Sequence, residues 1–228
     1  MRVVAVVPVK SVSERVESKN FKAFHQGDSL FDLLLKKLLA AKEIHEVYIS
    51  SDALEIKHQV EELGCRFIPR DKAFCNNQVP WSDVIAHVVE SIPENNDTVI
   101  AWCHTTSPLF DEYDQAINAY HKAISNGEYD GLVTVANLTD FVVSEKRQPI
   151  NYSWGPWHRY SQFLDKFYTI TGALFVTTKA EMVKNRYVIS KNPEFYVVSS
   201  LKAIDVDTPY DFKLAKLLIE NKEVLSDA

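Results

Sequence analysis

The sequence predicts an α/β fold: a doubly wound, mainly parallel sheet with a small projecting arm. Three observations carry the prediction. Short β-branched apolar runs alternate with stretches of helical periodicity along most of the chain. The first such run leaves through a long loop and not a tight hairpin turn. The 228 residues, 46% hydrophobic and 25% charged, suit one large soluble domain or a domain with an appendage. Parallel strands joined through helices imply right-handed crossovers.

The elements follow in order. Val3 to Val7 is short, apolar and β-branched, as a buried parallel strand requires. The loop Lys10–Asn20 leaves it. Asp28, a good cap, precedes Leu30, Phe31, Leu34, Leu35, Leu38 and Leu39, which share one helix face. Val47–Ser50 is the next strand, and a helix over about 53–63 stops at Gly64. Cys65–Ile68 is a strand. Trp81 to about Ser91 is a helix with Val84, Ile85, Val88 and Val89 on one side. Thr98–Cys103 is a strand, Asp111 to about Ser125 a helix and Gly131–Val135 a strand.

From about Asn137 to Phe167 the alternation stops. Trp154, Trp157, several tyrosines and Gly155-Pro156 occur there without a helical period. The segment reads as an extended arm or hairpin. Its aromatics suit an interface with a second copy of the chain, or a flap over the protein's own sheet edge. Strands resume at Gly172–Val176 and Phe195–Val198, and a helix runs from Pro209 to about Asn221.

Charge and cysteine usage narrow the function. The net charge of -6 argues against general nucleic-acid binding, so the cations of the first loop are a local feature. Cys65, Cys75 and Cys103 are odd in number and lack CxxC spacing, which suits reduced thiols in the cytoplasm. The opening Met-Arg-Val-Val reads as a strand and not a signal peptide. No apolar stretch approaches the roughly 20 residues of a membrane span.

In an open α/β sheet, ligands sit beyond the carboxyl ends of the strands. The first loop lies there and carries Lys10, Ser11, Ser13, Arg15, Lys19 and Lys22. Cations, hydroxyls and backbone N–H groups suit a polyphosphate. A solvated surface loop has the same look, and Glu14 and Glu17 halve the net charge. The loop lacks glycine, so it is neither a P-loop nor a GxGxxG fingerprint. Thr105-Thr106-Ser107-Pro108 ends another strand on the same edge, as an ordinary turn or a ligand-facing one. His104 before it can be a base, a hydrogen-bonding partner or a core histidine.

Asp205-Val206-Asp207 is the second strong signal. Leu201–Ile204 before it reads as extended. Residues two apart on an extended segment point the same way, which puts both carboxylates on one side and Ile204 and Val206 on the core. The bland role is helix capping. Thr208, Pro209 and Asp211 already supply a cap, a first-turn proline and a capping box. Two carboxylates freed from that task repel unless a cation lies between them, and oxygen-only ligands in a phosphate site suit Mg²⁺.

Together these landmarks resemble the acidic-sugar cytidylyltransferases, the CMP-sialic acid (acylneuraminate) and CMP-Kdo synthetase family. Its loop Ala-Arg-x-x-Ser-Lys-x-x-x-Lys-Asn resembles Val9 to Asn20. Its Leu-Gln-Pro-Thr-Ser-Pro-Leu resembles Cys103 to Leu109, its Asn-Gly-Ala-Ile-Tyr resembles Thr171 to Phe175, and its Asp-Ile-Asp-Thr-x-x-Asp resembles Asp205 to Asp211. Val47–Asp52 and Arg70 also match in place. The order is kept over nearly the whole chain.

The resemblance implies a Rossmann-like nucleotide-binding body over 1–136 and 169–228, with 137–168 as a dimerisation arm. It implies a cytoplasmic homodimer serving cell-surface polysaccharide biosynthesis. Its substrates are CTP and an acidic sugar, sialic-acid-like or Kdo-like, its cofactor is Mg²⁺, and its by-product is pyrophosphate. It gives catalytic roles to Lys10, Lys19 and Asp207. It places the nucleotide on Lys10, Ser11, Ser13, Arg15, Lys19, Asn20, Arg70 and Ser82. The acceptor falls to His104, Thr106, Ser107, Gln162 and Thr171, and the metal to Asp205 and Asp207.

The chain departs from the pattern at four single residues, and the family's arginine-rich stretch ahead of Asn-Gly-Ala is thin here, with Arg159, off register, and Gln162 as the nearest matches. Lys10 replaces an arginine and loses its bidentate fork on phosphate. Glu14 replaces a lysine, with Arg15 beside it. His104 replaces a glutamine and Thr171 an asparagine, both on the acceptor side. A phosphorylated or phosphonate acceptor is therefore an alternative. Other readings are an enzyme using UTP or another nucleotide, a non-catalytic nucleotide- or sugar-binding homologue, and a scaffold built on the aromatic arm.

Overall fold

The computed structural model describes residues 1–13, 15–76 and 78–221; Glu14 lies outside them. A seven-stranded sheet forms the centre. Its strands are β1 (Val3–Pro8), β4 (Glu46–Ser51), β5 (Arg66–Pro69), β6 (Val99–Cys103), β7 (Gly131–Leu138), β8 (Phe167–Thr178) and β9 (Pro193–Val198). The spatial order is β5-β4-β1-β6-β8-β7-β9. Within it β8 runs antiparallel to both β6 and β7, and the other neighbours pair in parallel. β2 (Ala23–His25) and β3 (Asp28–Ser29) form a separate small hairpin.

Helices cover both faces, which is why β1 is apolar at every position and does not alternate. On one face Val3, Ala5 and Val7 meet Phe31, Leu34, Leu35 and Leu38 of α1 (Leu30–Ala40), Val60 of α2 (Lys57–Glu62) and Ile117 and Tyr120 of α4 (Tyr113–Ser125). On the other, Val4, Val6 and Trp102 meet Val84, Ile85, Val88 and Val89 of α3 (Trp81–Glu90) and Met182 of α5 (Lys179–Asn185). The doubly wound, mainly parallel architecture is as the sequence predicts.

A third, smaller cluster matters most for the site. Phe24, Leu30, Val206 and Ala215 of α6 (Pro209–Glu220) are all buried together. They pull the chain around residue 206 back onto the β2–β3 hairpin, close to the first loop.

Several local readings are corrected. Ser29 and not Asp28 caps α1, because its hydroxyl can accept from the Asp32 N–H while Asp32 returns a bond to the Ser29 N–H. Residues 201–203 form a turn and not an extended run, closed by the Ala203 N–H on the Ser199 carbonyl. The β2–β3 hairpin and α5 had no sequence counterpart. β8 begins at Phe167, five residues before the predicted Gly172, and its outer half pairs with residues 135–138 of β7. The segment 137–168 thus leaves the sheet on a two-stranded stalk. Beyond the stalk it is irregular, with one bridge between Val143 and Pro149.

Candidate active site

A cleft of about 770 Å³ opens at the carboxyl ends of β1 and β6. Its lining includes a charged and polar set, Lys10, Ser13, Arg15, Lys19, Asn20, Asp205 and Asp207, and a largely apolar set, Phe74, Cys75, Val79, Pro80 and Trp81, which form its cationic and aromatic walls. Arg70, His104, Thr105 and Thr106 also line it. The first loop, the β6 turn and the Asp205–Asp207 segment therefore meet, although they are about a hundred residues apart from one to the next.

Buried clamps hold them together. The Asn20 amide donates to the Lys10 carbonyl at 3.1 Å, and its carbonyl accepts from the Thr105 hydroxyl at 2.8 Å. Lys19 Nζ donates to the Val206 carbonyl at 2.7 Å. The Val206 N–H donates to the Thr106 carbonyl at 2.8 Å. Val206 is fully buried, and burying a valine side chain contributes about 1.5–3 kcal/mol. This one side chain anchors the segment, and its two neighbours are left on the cleft.

The two carboxylates differ in company. Asp207 Oδ1 accepts from Arg15 at 2.7 Å and lies 3.4 Å from Lys19 Nζ. The Arg15 side chain is 64% exposed and the Lys19 side chain 9%. An exposed pair contributes only about 0–1 kcal/mol, so Arg15 can exchange Asp207 for a phosphate at little cost. Lys19 is fixed by its buried carbonyl contact. Asp205 opens onto the cleft and is bonded to Thr106. Partial burial, reinforced by Asp207, pushes its carboxyl above the ordinary range, against the pull of Thr106, Lys19 and Arg15.

Thr208 and Asp211 form the capping box of α6, with Pro209 at its start. Asp205 and Asp207 are thus not needed as caps. The donor set fits Mg²⁺: hard carboxylate oxygens, one of them short of positive charge. Among the described residues no three His, Cys, Asp or Glu side chains cluster. An ion held by these two carboxylates would need further oxygen ligands, which phosphate and water supply for Mg²⁺ in general.

Other residues picked from the sequence lie elsewhere. Ser11 turns away from the cleft, giving its N–H and hydroxyl to Asp52 at 2.8 and 2.7 Å. Although burial opposes it, that pair of bonds holds Asp52 below the usual carboxylate range. Ser82 sits in the first turn of α3 beside Asp83 and is not in the lining. Ser107 is buried behind the turn. Thr171 is buried against β7, its hydroxyl on Thr134 at 2.7 Å. Gln162 is exposed on the arm. These five form no part of the cleft's lining within one chain.

Arg70 is buried, its guanidinium on the Val9 carbonyl at 2.8 Å and on Cys75 Sγ at 3.1 Å. It fixes the root of the first loop while facing the cleft. His104 lines the cleft wall and accepts the Trp102 indole N–H on Nε2 at 2.8 Å. Burial, helped by Lys19 and opposed by Asp207, pulls its pKa down to about 4. It is a neutral imidazole at pH 7.

Sequence reading missed the aromatic wall. Trp81 is 46% exposed at the cleft, edge-on to Trp102 at 6.0 Å, and Phe74 stacks on His87 at 4.0 Å. One signal was available. Helices of a doubly wound sheet begin at its ligand-binding edge, so an aromatic residue directly after Pro80 belongs at the site.

Comparison with known proteins identifies a family. Residues 4–205 match the model of a family described as cytidylyltransferase. The chain is 23% identical over 230 residues to the pseudaminic acid cytidylyltransferase of Campylobacter jejuni subsp. jejuni serotype O:23/36 (strain 81-176), covering 96% of each. It is 25% identical over 135 residues to the Helicobacter pylori (strain ATCC 700392 / 26695) protein that joins this activity to a UDP-sugar hydrolase. That match covers 59% of this chain and 26% of the relative. Among solved structures, a CMP:2-keto-3-deoxy-manno-octonic acid synthetase complexed with CTP superposes with a TM-score of 0.69 at 13% identity, over 97% of this chain and 100% of the other. The 4-diphosphocytidyl-2C-methyl-D-erythritol synthase of Anaerococcus prevotii DSM 20548 gives 0.65 at 13% identity, over 96% of each. At such identities these structures speak for the fold alone. The family match spans the first loop, the β6 turn and the approach to the metal-ligand candidates, and the chain belongs to the cytidylyltransferase family.

Proposed function

We propose that the protein transfers CMP from CTP to an acidic nonulosonate sugar of the pseudaminic type, releasing pyrophosphate. The observation that carries the chemistry is the meeting of Lys10, Arg15 and Lys19 with Asp205 and Asp207 in one cleft. The sugar class rests on the full-length similarity to a pseudaminic acid cytidylyltransferase.

The acceptor hydroxyl oxygen forms a bond to the α-phosphorus of CTP as the bond from that phosphorus to the β-phosphate bridge breaks. The electron pair leaves with pyrophosphate, and the hydroxyl proton passes to water. Lys10 and Arg15 bind the triphosphate and hold the departing charge. Lys19 fixes Asp207 and adds a stationary positive charge. Positioning and charge neutralisation do most of the work in such transfers. Asp205 and Asp207 would hold Mg²⁺, which when bound neutralises phosphate oxygens and lowers the pKa of the attacking hydroxyl.

Pyrophosphate release with CTP and Mg²⁺, measured over pseudaminic, legionaminic, sialic and Kdo-type acids, tests the reading. Turnover with a pseudaminic-type acid and CTP is expected. Turnover only with another nucleotide, or with none of the acids, would sink it.

We also propose a cytoplasmic homodimer, making CMP-sugar for cell-surface polysaccharide. Free Cys65, Cys75 and Cys103 suit a reducing compartment. Among the described residues no helix is long and apolar enough to cross a membrane. Trp154, Trp157, Tyr160 and Phe163 are 54–76% exposed on the arm, more apolar surface than an unpartnered segment usually shows. Light scattering on Trp157→Ala with Phe163→Ala should report a loss of dimer relative to the unaltered protein. A monomeric unaltered protein would refute the arrangement.

A further inference from the structure

Trp102 and His104 lie two residues apart on β6 and its continuation, so their side chains project to the same side of the sheet. The indole N–H of Trp102 is a donor and nothing else. The ring nitrogen it meets must therefore present a lone pair. That nitrogen is Nε2, at 2.8 Å. In a neutral imidazole the proton must then sit on Nδ1. The chemistry of the partner settles the tautomer, which a ring position alone does not.

Nδ1 faces a defined place. Gly172 of β8 has no side chain, and a Cβ built on it would lie 3.4 Å from His104 Nδ1, 3.5 Å from Asp205 Oδ1 and 3.6 Å from Thr106 Oγ1. Three polar atoms from two separate segments, the β6 turn and the Asp205–Asp207 stretch, thus converge beside the bare backbone of Gly172. His104, Thr106 and Asp205 all line the cleft. Phe175 and Trp81 close round the ring, with centroids at 5.8 and 6.3 Å. His104 accordingly has little freedom to swing out.

We propose that Trp102 is a positioning residue that locks His104 in the Nδ1–H tautomer, so that His104 Nδ1–H and Asp205 Oδ1 together frame a hydroxyl of the acceptor sugar at Gly172. A hydroxyl fits because it can accept from the imidazole and donate to the carboxylate in one geometry. A bare carboxylate fits poorly, since Asp205 repels it at the same place. His104 then cannot serve as the base for the acceptor. Its lone pair is already taken, and releasing it would strand a buried indole N–H, a costly change. Burial and Lys19 keep the ring neutral, which supports the same role.

This inference rests on the sugar-transfer reading, but its first test does not need turnover. The full-length protein, labelled with ¹⁵N-histidine, is observed by long-range ¹H–¹⁵N correlation at pH 7.5, with His104→Gln used to assign the signal. His104 is expected to carry its proton on Nδ1 and a bare Nε2. In Trp102→Phe the proton should spread over both nitrogens. A proton on Nε2, or on both nitrogens, in the unaltered protein would overturn the lock whatever the substrate proves to be.

The second test is kinetic, with whichever acid supports pyrophosphate release. Gly172→Ala brings only ordinary van der Waals contacts within the protein, so its melting temperature should hold. The added methyl occupies the space the hydroxyl needs. KM for the acid should rise about tenfold, the equivalent of one lost hydrogen bond, with KM for CTP unchanged. His104→Gln keeps an N–H donor and should retain more acceptor affinity than His104→Ala. A folded Gly172→Ala enzyme with KM for the acid within twofold of normal would refute the framing site. If no acid turns over, the sugar reading fails and the tautomer result still stands or falls alone. If Trp102→Phe does not fold, the unaltered spectrum and Gly172→Ala decide.

Discussion

The two walls of the cleft are held in place by different forces. The cationic wall is a chain of clamps: Asn20 on Lys10 and Thr105, Lys19 on Val206, and Val206 on Thr106. Each is a directional bond to a named backbone or side-chain atom. The aromatic wall is held by packing. Trp81 leans on Trp102 and Phe74 on His87, while Trp102 behind them makes a directional bond to His104. Charge that must meet a triphosphate is fixed by hydrogen bonds because small displacements matter at short range. A packed aromatic surface can be looser in position and still exclude water.

That contrast predicts where damage is greatest. Asp207→Asn keeps the shape of the cationic wall and removes a charge from the proposed metal-ligand pair. Pyrophosphate release should fall by about 10²-fold or more, a size typical for loss of one electrostatic stabiliser in a closed site. Added Mg²⁺ should restore only part of it. Near-normal turnover of Asp207→Asn with CTP, Mg²⁺ and the true acceptor would sink the metal role.

Lys19→Met ranks next, and it should break structure and chemistry together. The ammonium is buried and its bond to the Val206 carbonyl is charge-assisted, worth about 1.5–3 kcal/mol. A drop in Tm of roughly 4–10 °C should accompany a rise in KM for CTP. Arg15→Met is the control. Its ion pair with Asp207 is largely exposed, so Tm should stay within about 2 °C while KM for CTP rises. Equal thermal effects of the two variants would erase the distinction between fixed and exchangeable cations.

The same contrast explains what the sequence disclosed. Ionisable residues at a strand's carboxyl end announce themselves, so the positions of Lys10, Arg15 and Lys19 along the chain were enough to put them at the ligand edge, whereas Asp205 and Asp207 were joined to them only as a metal pair suited to a phosphate site and by the family resemblance. The bonding that gives them their places could not be read that way, because Val206 is reached by Lys19 across almost the whole chain. Thr171 misled for a similar reason. The family resemblance put it on the acceptor side, and its hydroxyl is bonded to Thr134 on β7. Ser11 satisfied Asp52 in the same manner. Trp81 was read only as the start of a helix and Phe74 was not singled out, since a hydrophobic side chain carries no mark separating a core from a cleft wall. The sheet order around β8 was equally hidden: β7 and β8 pair through a long irregular excursion and not a short turn.

Trp81→Ala tests the looser wall. Its ring is 46% exposed and its contact with Trp102 is edge-on, an arrangement worth about 0.5–1.5 kcal/mol. KM for the acceptor should rise about threefold to tenfold, with Tm nearly constant and KM for CTP little changed. A larger effect on CTP than on the acceptor would assign the aromatic wall to the nucleotide and reverse the comparison.

The smallest expected effect is a shift in pH dependence, and its sign separates the two walls. Burial and the neighbouring Asp207 raise the Asp205 pKa above that of an ordinary carboxylate. Asp205 must be ionised to hold a cation, so Mg²⁺ affinity should fall as pH drops through that raised value, at a higher pH than a solvent-exposed carboxylate would give. Asp207→Asn removes the repelling charge and should move the acid limb of Mg²⁺ binding to lower pH. His104 shifts the other way, its pKa pulled down to about 4 by burial and Lys19. Mg²⁺ titrations of the unaltered protein, Asp207→Asn and His104→Gln over the acid range should then show a limb that moves with Asp207→Asn and not with His104→Gln. A limb that moves with His104→Gln would place the titrating group on the aromatic wall.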